Sequence, residues 1–262
     1  MLTVIYSGLG LVAVLLLLLY AIQHRTRNAG ISDAGWTGGL ALLTLWYAFW
    51  LAPATARTFL IAGLASFWAL RLTWHVVYYR VWQRPEDGRY RAMREFWGPA
   101  APKYFFLFFQ GQTLAAFLFS LPILVALLAP RPSLNHWDAL GVTIWLVAVG
   151  GEWLADRQLE GFRNNPAHRG QTCRDGLWRY SRHPNYFFEW LHWFAYIAFA
   201  AGHPAWGWTL LGPAVMLFFL FKLTGIPYTE RQALKSRGED YRRYQASTSV
   251  FIPWFPKDQS VD

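Results

Sequence analysis

Only one cysteine, Cys173, occurs in the 262 residues, which excludes an intramolecular disulfide and any metal site built from several thiolates. Charged side chains are also scarce, at 15% of the chain against roughly 25% in an average soluble domain. There is no internal repeat and no low-complexity tract. The seven histidines form no paired motif, which argues against a di-iron desaturase. Catalytic serine elbows and Walker loops are absent too. The stretch "GLGLVA", residues 8–13, matches a dinucleotide-binding glycine pattern in form alone, because it sits inside an apolar run and not between a strand and a helix.

What is abundant is apolar and aromatic, 55% and 19% of the residues. Seven runs approach the ~20 residues needed to cross ~30 Å of hydrocarbon. They cover 3–22, 36–53, 58–79, 104–129, 137–155, 186–201 and 207–224, with Pro122 expected to kink the fourth. The first run has no positively charged n-region and no clear cleavage site, so it reads as a retained span. The expected fold is an all-α integral membrane bundle of seven transmembrane helices in a single membrane domain.

The formal charge of +9 does not point to nucleic acid, because the basic residues lie in loops between apolar runs and not on one soluble face. Of 24 Lys and Arg, 21 fall in 23–35, 80–103, 156–185 and 222–262. Only Arg57 and Arg131 occupy the alternate loops, and Arg71 lies within a span. By the positive-inside rule the amino terminus is outside and the carboxyl terminus cytosolic. The cytosolic segments are also the long ones, which suggests that a polar ligand is handled there.

Four of those segments can carry chemistry. In "RYSRHPNYFFEWLHW", 179–193, Pro184 suits a helix start, and Asn185 and Glu189 share a face with His192 one turn on. An acid such as Glu189 near membrane depth normally faces a protein interior or a wet cavity. Open amides of the first turn, with Arg179, Arg182 and His183 beside them, favour a phosphate. A helix cap and lipid-facing arginines explain the same residues. In "GEWLADRQLEGFR", 151–163, Glu152, Asp156, Glu160 and Arg163 fall on one face, able to accept from ribose hydroxyls and to grip a phosphate. The same pattern also fits a solvated helix end. The loop "HRGQTCRDGLWRY", 168–180, carries arginines at 169, 174 and 179, and can fold over an anion or simply face anionic lipid. The tail from 227 to 256 reads as a helix through Glu230, a break at Gly238 and a second short helix with Tyr241 and Tyr244 on one face. It has too many aromatics for a free tail and is expected to pack back on the bundle. Among the first four spans, Tyr47, Arg71, His75 and Tyr78 are the notable polar groups, and Trp46, Trp50, Phe67, Trp68 and Trp74 are expected to wall an apolar cavity.

"GLWRYSRHPNYFFEW" together with "TGIPYTERQALKSRGEDYRRYQASTSVFIPWFP" resembles the bacterial branch of the steroid 5-alpha-reductase family, membrane enzymes often grouped under a domain of unknown function. The likeness covers roughly 70–256 and is sharpest from 152 on. It implies a seven-helix oxidoreductase that binds NADPH among its last three helices and reduces a carbon–carbon double bond conjugated to a ketone. Residues 1–129 would then hold a hydrophobic substrate and 130–262 the cofactor. Carried over by motif, Asp156 and Arg163 would contact the adenosine side of NADPH, with Asn185 and Glu189 lying towards the nicotinamide. Arg80, Arg169, Trp178, Arg179, Tyr180, Arg182, His183, Tyr186, Glu230, Tyr241 and Tyr244 would complete the cofactor site. No metal is implied, and a monomer in contact with membrane lipid, placed in a bacterial inner membrane with the cofactor site facing the cytoplasm, is expected.

The sequence departs from the family in two places. Animal members have a second-helix glutamate, but 36–53 contains no carboxylate, and Asp33 is the only acid before Glu86. Tyr47, His75 and Tyr78 are therefore the candidates for the proton donor. Glu230 stands where animal enzymes have a histidine. Because membrane methyltransferases share the "RHP" turn, an S-adenosylmethionine-dependent methyltransferase of a lipid or prenyl group is the alternative activity. A lipid-binding protein without a polar cofactor is a third reading.

Overall fold

A computed structural model describes residues 1–82, 84–131, 133–223 and 225–257, so Thr224, at the end of the seventh predicted run, and the last five residues of the tail lie outside the described residues. The described residues form helices and connecting turns, with no strand among them. The helices are α1 (Leu2–Thr26), α2 (Ile31–Trp50), α3 (Ala56–Val76), α4 (Gly88–Trp97), α5 (Ala101–Leu128), α6 (His136–Asn164), α7 (Pro184–Phe199), α8 (Leu211–Phe218), α9 (Ile226–Arg237) and α10 (Glu239–Ser247).

Five helical stretches among the described residues are long and apolar enough to cross a membrane: Leu2–Thr26, Ala56–Val81, Gly88–Leu128, His136–Asn164 and Trp206–Arg237. The chain is a helical multi-pass membrane protein. The second and sixth predicted runs are occupied by α2, with 20 residues, and α7, with 16. Pro122 lies within α5. Two stretches close in π-type turns, Val77–Val81 after α3 and Phe219–Leu223 after α8, and both are places where the i→i−4 ladder gives way.

The chain forms two compact units. The first comprises Met1–Trp137 and Phe199–Leu211. At its centre α2 packs against α1, α3 and α5. On α2, Leu40, Leu43 and Tyr47 are fully buried, consistent with a helix enclosed on several sides. The Tyr47 hydroxyl lies 3.4 Å from Ser120 Oγ.

Helix α4 went unforeseen in the sequence, although "DGRYRAMREFW" carries its start signal, with Asp87 Oδ1 accepting from the Arg89 amide at 2.9 Å. It is tied to the α1–α2 turn by the two acids that the family likeness leaves without a role. Asp33 accepts from Tyr90 Oη at 2.6 Å and from Arg89 Nη2 at 3.3 Å. Glu86 accepts from Arg94 Nη2 at 2.7 Å and from the Ala29 amide at 2.9 Å.

The expected aromatic cavity wall does not form as a single face. Trp50, Phe67 and Trp74 are exposed while Trp68 is fully buried. Neighbours such as Phe67 and Trp68 point about 100° apart around a helix, so one faces out when the other packs inward. Trp46 and Trp50, four residues apart, do share a face, with ring centroids 5.7 Å apart.

The second unit comprises Asp138–Ala198 and Gly212–Asp262. It contains most of α6, α7 and α8, together with α9, α10 and the turns between them. Gly151 of α6 lets α7 approach closely, because a Cβ there would stand 2.5 Å from the Phe188 ring.

Candidate functional site

Three segments converge in the second unit, two of them neighbours in sequence and the third in the tail, and each is fixed by bonds to another element. The first is the turn 176–179, which is pinned to α6. Trp178 Nε1 donates to the Ala155 carbonyl at 2.9 Å, and the Leu177 amide donates to Gln158 Oε1 at 2.9 Å. Gly176 has φ +56°, a conformation that favours glycine, and a Cβ there would displace the Gln158 amide, which stands 2.3 Å away.

The start of α7 is the second segment. Asn185 Nδ2 donates to Asp156 Oδ1 at 3.0 Å, joining α7 to α6, while Asn185 Oδ1 accepts from the Tyr186 amide at 3.0 Å. Tyr186 stacks on His183, with ring centroids 5.3 Å apart, and its hydroxyl lies 3.3 Å from Thr229 Oγ1 on α9. Glu189 is half-buried one turn further along α7. Beyond it, buried His192 Nε2 lies 3.0 Å from the Tyr196 hydroxyl.

The third segment is the tail, and its hub is Glu230 of α9. Glu230 Oε1 accepts from Arg182 Nε at 2.7 Å and lies 3.4 Å from His183 Nε2. Tyr241 Oη donates to the same oxygen at 3.4 Å, and Gln245 Nε2 donates to Oε2 at 2.9 Å. Arg182 Nη1 also donates to the carbonyls of Gln245 at 3.0 Å and Thr248 at 2.7 Å, so it closes the carboxyl end of α10. Tyr244 Oη donates to the carbonyls of Trp178 and Ser181. Burial pushes the Tyr241 and Tyr244 phenols above their usual range, so both remain neutral donors.

The tail also secures the basic loop. The carboxylate of Asp240 accepts from the Thr172 amide and from Arg174 Nη2, each at 2.8 Å. Partial burial pushes that carboxyl's pKa up, but Thr172 and Arg174 outweigh it and hold it below the usual carboxylate range. Residues 172–174 are therefore tied down, and the loop is no free lid over this unit.

Of the sequence-predicted cofactor residues, Trp178, Arg182, His183, Glu230, Tyr241 and Tyr244 form one connected network, while Asp156 and Asn185 form a second pair. Tyr186 joins α7 to α9. Tyr180 is half-buried against Phe255, and Arg163, Arg169 and Arg179 are exposed. Arg80, also exposed, belongs to the first unit, as do Tyr47, His75 and Tyr78. His75 lies against Tyr79 with ring centroids 4.8 Å apart, and Tyr78 stacks on Trp74.

Sequence reasoning missed Gln158, Thr229, Asp240 and Gln245. Gln245 was recoverable, because it lies four residues beyond Tyr241 and so shares its helical face. Among the described residues no group of three His, Cys, Asp or Glu side chains is placed to hold a metal ion.

The network has a chemical division of labour. Arg182 and Glu230 direct their donors and acceptors at each other and at the tail, so they set the shape of the wall. Asp156 and Glu189 are half-buried, and Arg163, Arg169 and Arg179 are exposed.

His183 gives the site a pH dependence. Burial lowers its pKa below the ordinary 6.5, overcoming the opposing pull of Glu230. As pH falls, the unfolded chain therefore takes up this proton before the folded one does. Stability from this group is present above about 6.5 and is lost on acidification through that value, with a slope of up to ~1.4 kcal/mol per pH unit for one proton. Melting followed from pH 7.5 to 5.5 in micelles is expected to show this loss, and His183→Gln to remove it. An unchanged slope in the variant would assign the effect to another group.

A Schizosaccharomyces pombe protein, "Uncharacterized protein C594.04c", is 26% identical to this chain over 272 aligned positions, which cover 90% of this chain and 75% of that one. No solved structure matches the chain. The model of the family described as "Protein of unknown function (DUF1295)" matches residues 19–248, which include every bond of the Glu230 network, and the chain belongs to that family.

Proposed function

We propose that the protein is a membrane reductase of the steroid 5-alpha-reductase type. It would use NADPH to reduce a carbon–carbon double bond conjugated to a ketone in a steroid-like or isoprenoid substrate. In this reading the chain crosses a bacterial inner membrane seven times, with its amino terminus outside, so that the second unit's polar residues face the cytoplasm. The carrying observation is the gathering, at the polar ends of apolar helices, of two bonded groups, Asp156 of α6 with Asn185 of α7, and Arg182 and His183 just before α7 with Glu230 of α9.

The residues suit a dinucleotide. A half-buried carboxylate, Asp156, can accept from ribose hydroxyls, and exposed guanidinium groups can pair with phosphates. Asn185 and Glu189, on one face of α7, would hold a carboxamide. NADPH, when bound, supplies the hydride. The chain's own task is to fix the orientation of the reacting groups, to exclude water and to polarise the ketone with a proton donor. Tyr47, His75 and Tyr78 are the donor candidates, and replacing each with Phe or Ala should lower turnover of an enone most for the true donor.

Binding tests the reading directly. NADPH, and not S-adenosylmethionine, should raise the melting temperature of the protein in micelles. Asn185→Ala and Glu189→Ala should each weaken NADPH binding by about tenfold, the ~1.4 kcal/mol of one hydrogen bond. Stabilisation by S-adenosylmethionine alone would favour the methyltransferase. No shift with either ligand, together with tolerance of Asp156→Ala and Arg163→Ala, would favour a lipid-binding protein.

A further inference from the structure

We propose that residues 249–256 form a membrane anchor lying at the boundary between lipid headgroups and acyl chains, through which the bilayer holds the wall of the candidate site in place. The inference is independent of the reaction proposed above.

The stretch is neither helix nor strand, yet the rest of the unit fixes it. The Arg182 amide donates to the Ser249 carbonyl at 2.8 Å, Ser181 Oγ to the Phe251 carbonyl at 2.8 Å, and the Trp254 amide to the Tyr180 carbonyl at 2.9 Å. Beyond it, the Lys257 amide donates to the Ser247 carbonyl at 2.8 Å. Residues 180–182 immediately precede α7, which begins at Pro184. The tail is thus held at the level where an apolar helix begins.

Phe251 sets the direction of the segment. It is buried, and its ring lies 5.8 Å from Phe187, 5.6 Å from Trp190 and 5.3 Å from Phe221. Phe187 and Trp190 are one and two turns into α7, so this side chain follows the helix inward. Phe221 belongs to an apolar membrane-crossing stretch and is itself 37% exposed, so the surface it presents continues onto the tail.

The neighbours of Phe251 point outward instead. Ile252 is 58%, Trp254 70% and Phe255 74% exposed. A segment held in one conformation, with three large apolar side chains facing away from the protein, leaves them a poor fit to water. Tryptophan and other aromatics concentrate at membrane interfaces, and exposed Arg179 and Lys257 flank the patch with the charge that suits headgroups. Lipid is accordingly the occupant the surface fits. The link to the site is short, because the carbonyls of Gln245 and Thr248, directly before the segment, accept from the Arg182 guanidinium that pairs with Glu230.

The test uses the full chain with Cys173→Ala, in nanodiscs of phosphatidylcholine and phosphatidylglycerol that hold one protein each. A single cysteine replaces Ile252, Trp254, Phe255 or, as an aqueous control, Gln232 on the exposed side of α9. Each site is spin-labelled and its collisions with oxygen and with a water-soluble nickel chelate are compared. Labels at 252, 254 and 255 should favour oxygen and lose nickel collisions, while 232 stays open to nickel. Nickel access at all three tail positions equal to that at 232 would overturn the proposal. So would spin–spin coupling that appears only in two-copy discs and goes with nickel access in one-copy discs, because a second copy of the chain would then be the partner. Since labelling can loosen the tail, unlabelled Trp254→Ser/Phe255→Ser protein is also melted in micelles and in nanodiscs. It should match the unsubstituted protein in micelles and lose part of the extra stability that nanodiscs confer. An equal gain in both proteins would also overturn the proposal.

Discussion

Replacing Arg182 with leucine is expected to destabilise the second unit by about 3–5 kcal/mol, the range found when one partner of a buried ion pair is removed. The pair qualifies as largely buried, with side-chain exposures of 11% for Arg182 and 16% for Glu230. The loss has two parts. Glu230 would keep its carboxylate in a half-enclosed place with its closest cationic donor gone. The carbonyls of Gln245 and Thr248 would also lose the guanidinium that closes α10, a favourable position for a cation because the helix dipole is negative there. Lysine is not a conservative exchange, since an ammonium is a point charge and cannot serve the carboxylate and two carbonyls in the planar fork that arginine offers. Arg182→Lys should therefore recover less than half of the loss. Gln245→Ala, which removes one neutral donor to Glu230, should lose only about 1 kcal/mol. Melting in micelles and protease sensitivity of the stretch 238–257 give the readout, and the double variant with Glu230→Gln separates coupling from local damage. If the two substitutions add independently, Arg182 and Glu230 do not work as a unit and the proposed wall is misassigned.

The contrast between Arg182 and Asn185 shows how far the sequence could be read. Helical class, apolar runs and the break at Gly238 follow from local chemistry, namely hydrophobic length, turn residues and the left-handed glycine that ends α9 at φ 54°. The face shared by Tyr241 and Tyr244 was equally legible, and both are buried. What a helical wheel cannot supply is the partner across space. Arg182 looked, with Arg179 and His183, like a neighbour of a phosphate at the start of α7, but only the folded chain shows its donors committed to Glu230 and the end of α10, 48 to 66 residues away. The loop at 168–180 reads in one dimension as a basic loop able to fold over an anion or face anionic lipid, and its anchor, Asp240, lies in a tail whose contacts carry no local signature. The aromatic wall failed for a simpler reason. Spacing was read for residue type and not for helical phase, and the adjacent Phe67 and Trp68 differ in exposure because they point about 100° apart.

Arg57→Leu is expected to have a comparable effect in the first unit. Sequence counting treats Arg57 as one of two basic residues in the alternate loops, a matter of topology alone. In the folded chain it is 3% exposed, in the first turn of α3, and reaches the far ends of other elements. Its Nη1 donates to the carbonyls of Ala126 at 3.0 Å and Ala129 at 3.4 Å, and its Nη2 to that of Phe199. Ala126 is in the last turn of α5, where helix carbonyls have no partner within the helix. Each buried acceptor left without its donor costs about 1–3 kcal/mol. The three do not simply sum, because Phe199 also accepts from Arg131 and Ala126 from the Ala129 amide. A loss of about 3 kcal/mol is therefore expected for Arg57→Leu, with Arg57→Lys in between. Because both arginines serve the Phe199 carbonyl, Arg57→Leu with Arg131→Leu should lose more than the two single changes together. Melting of the four proteins in micelles decides it. A single variant within about 0.5 kcal/mol of the unsubstituted protein would mean that water or lipid replaces the guanidinium at these carbonyls, and that Arg57 serves membrane orientation alone.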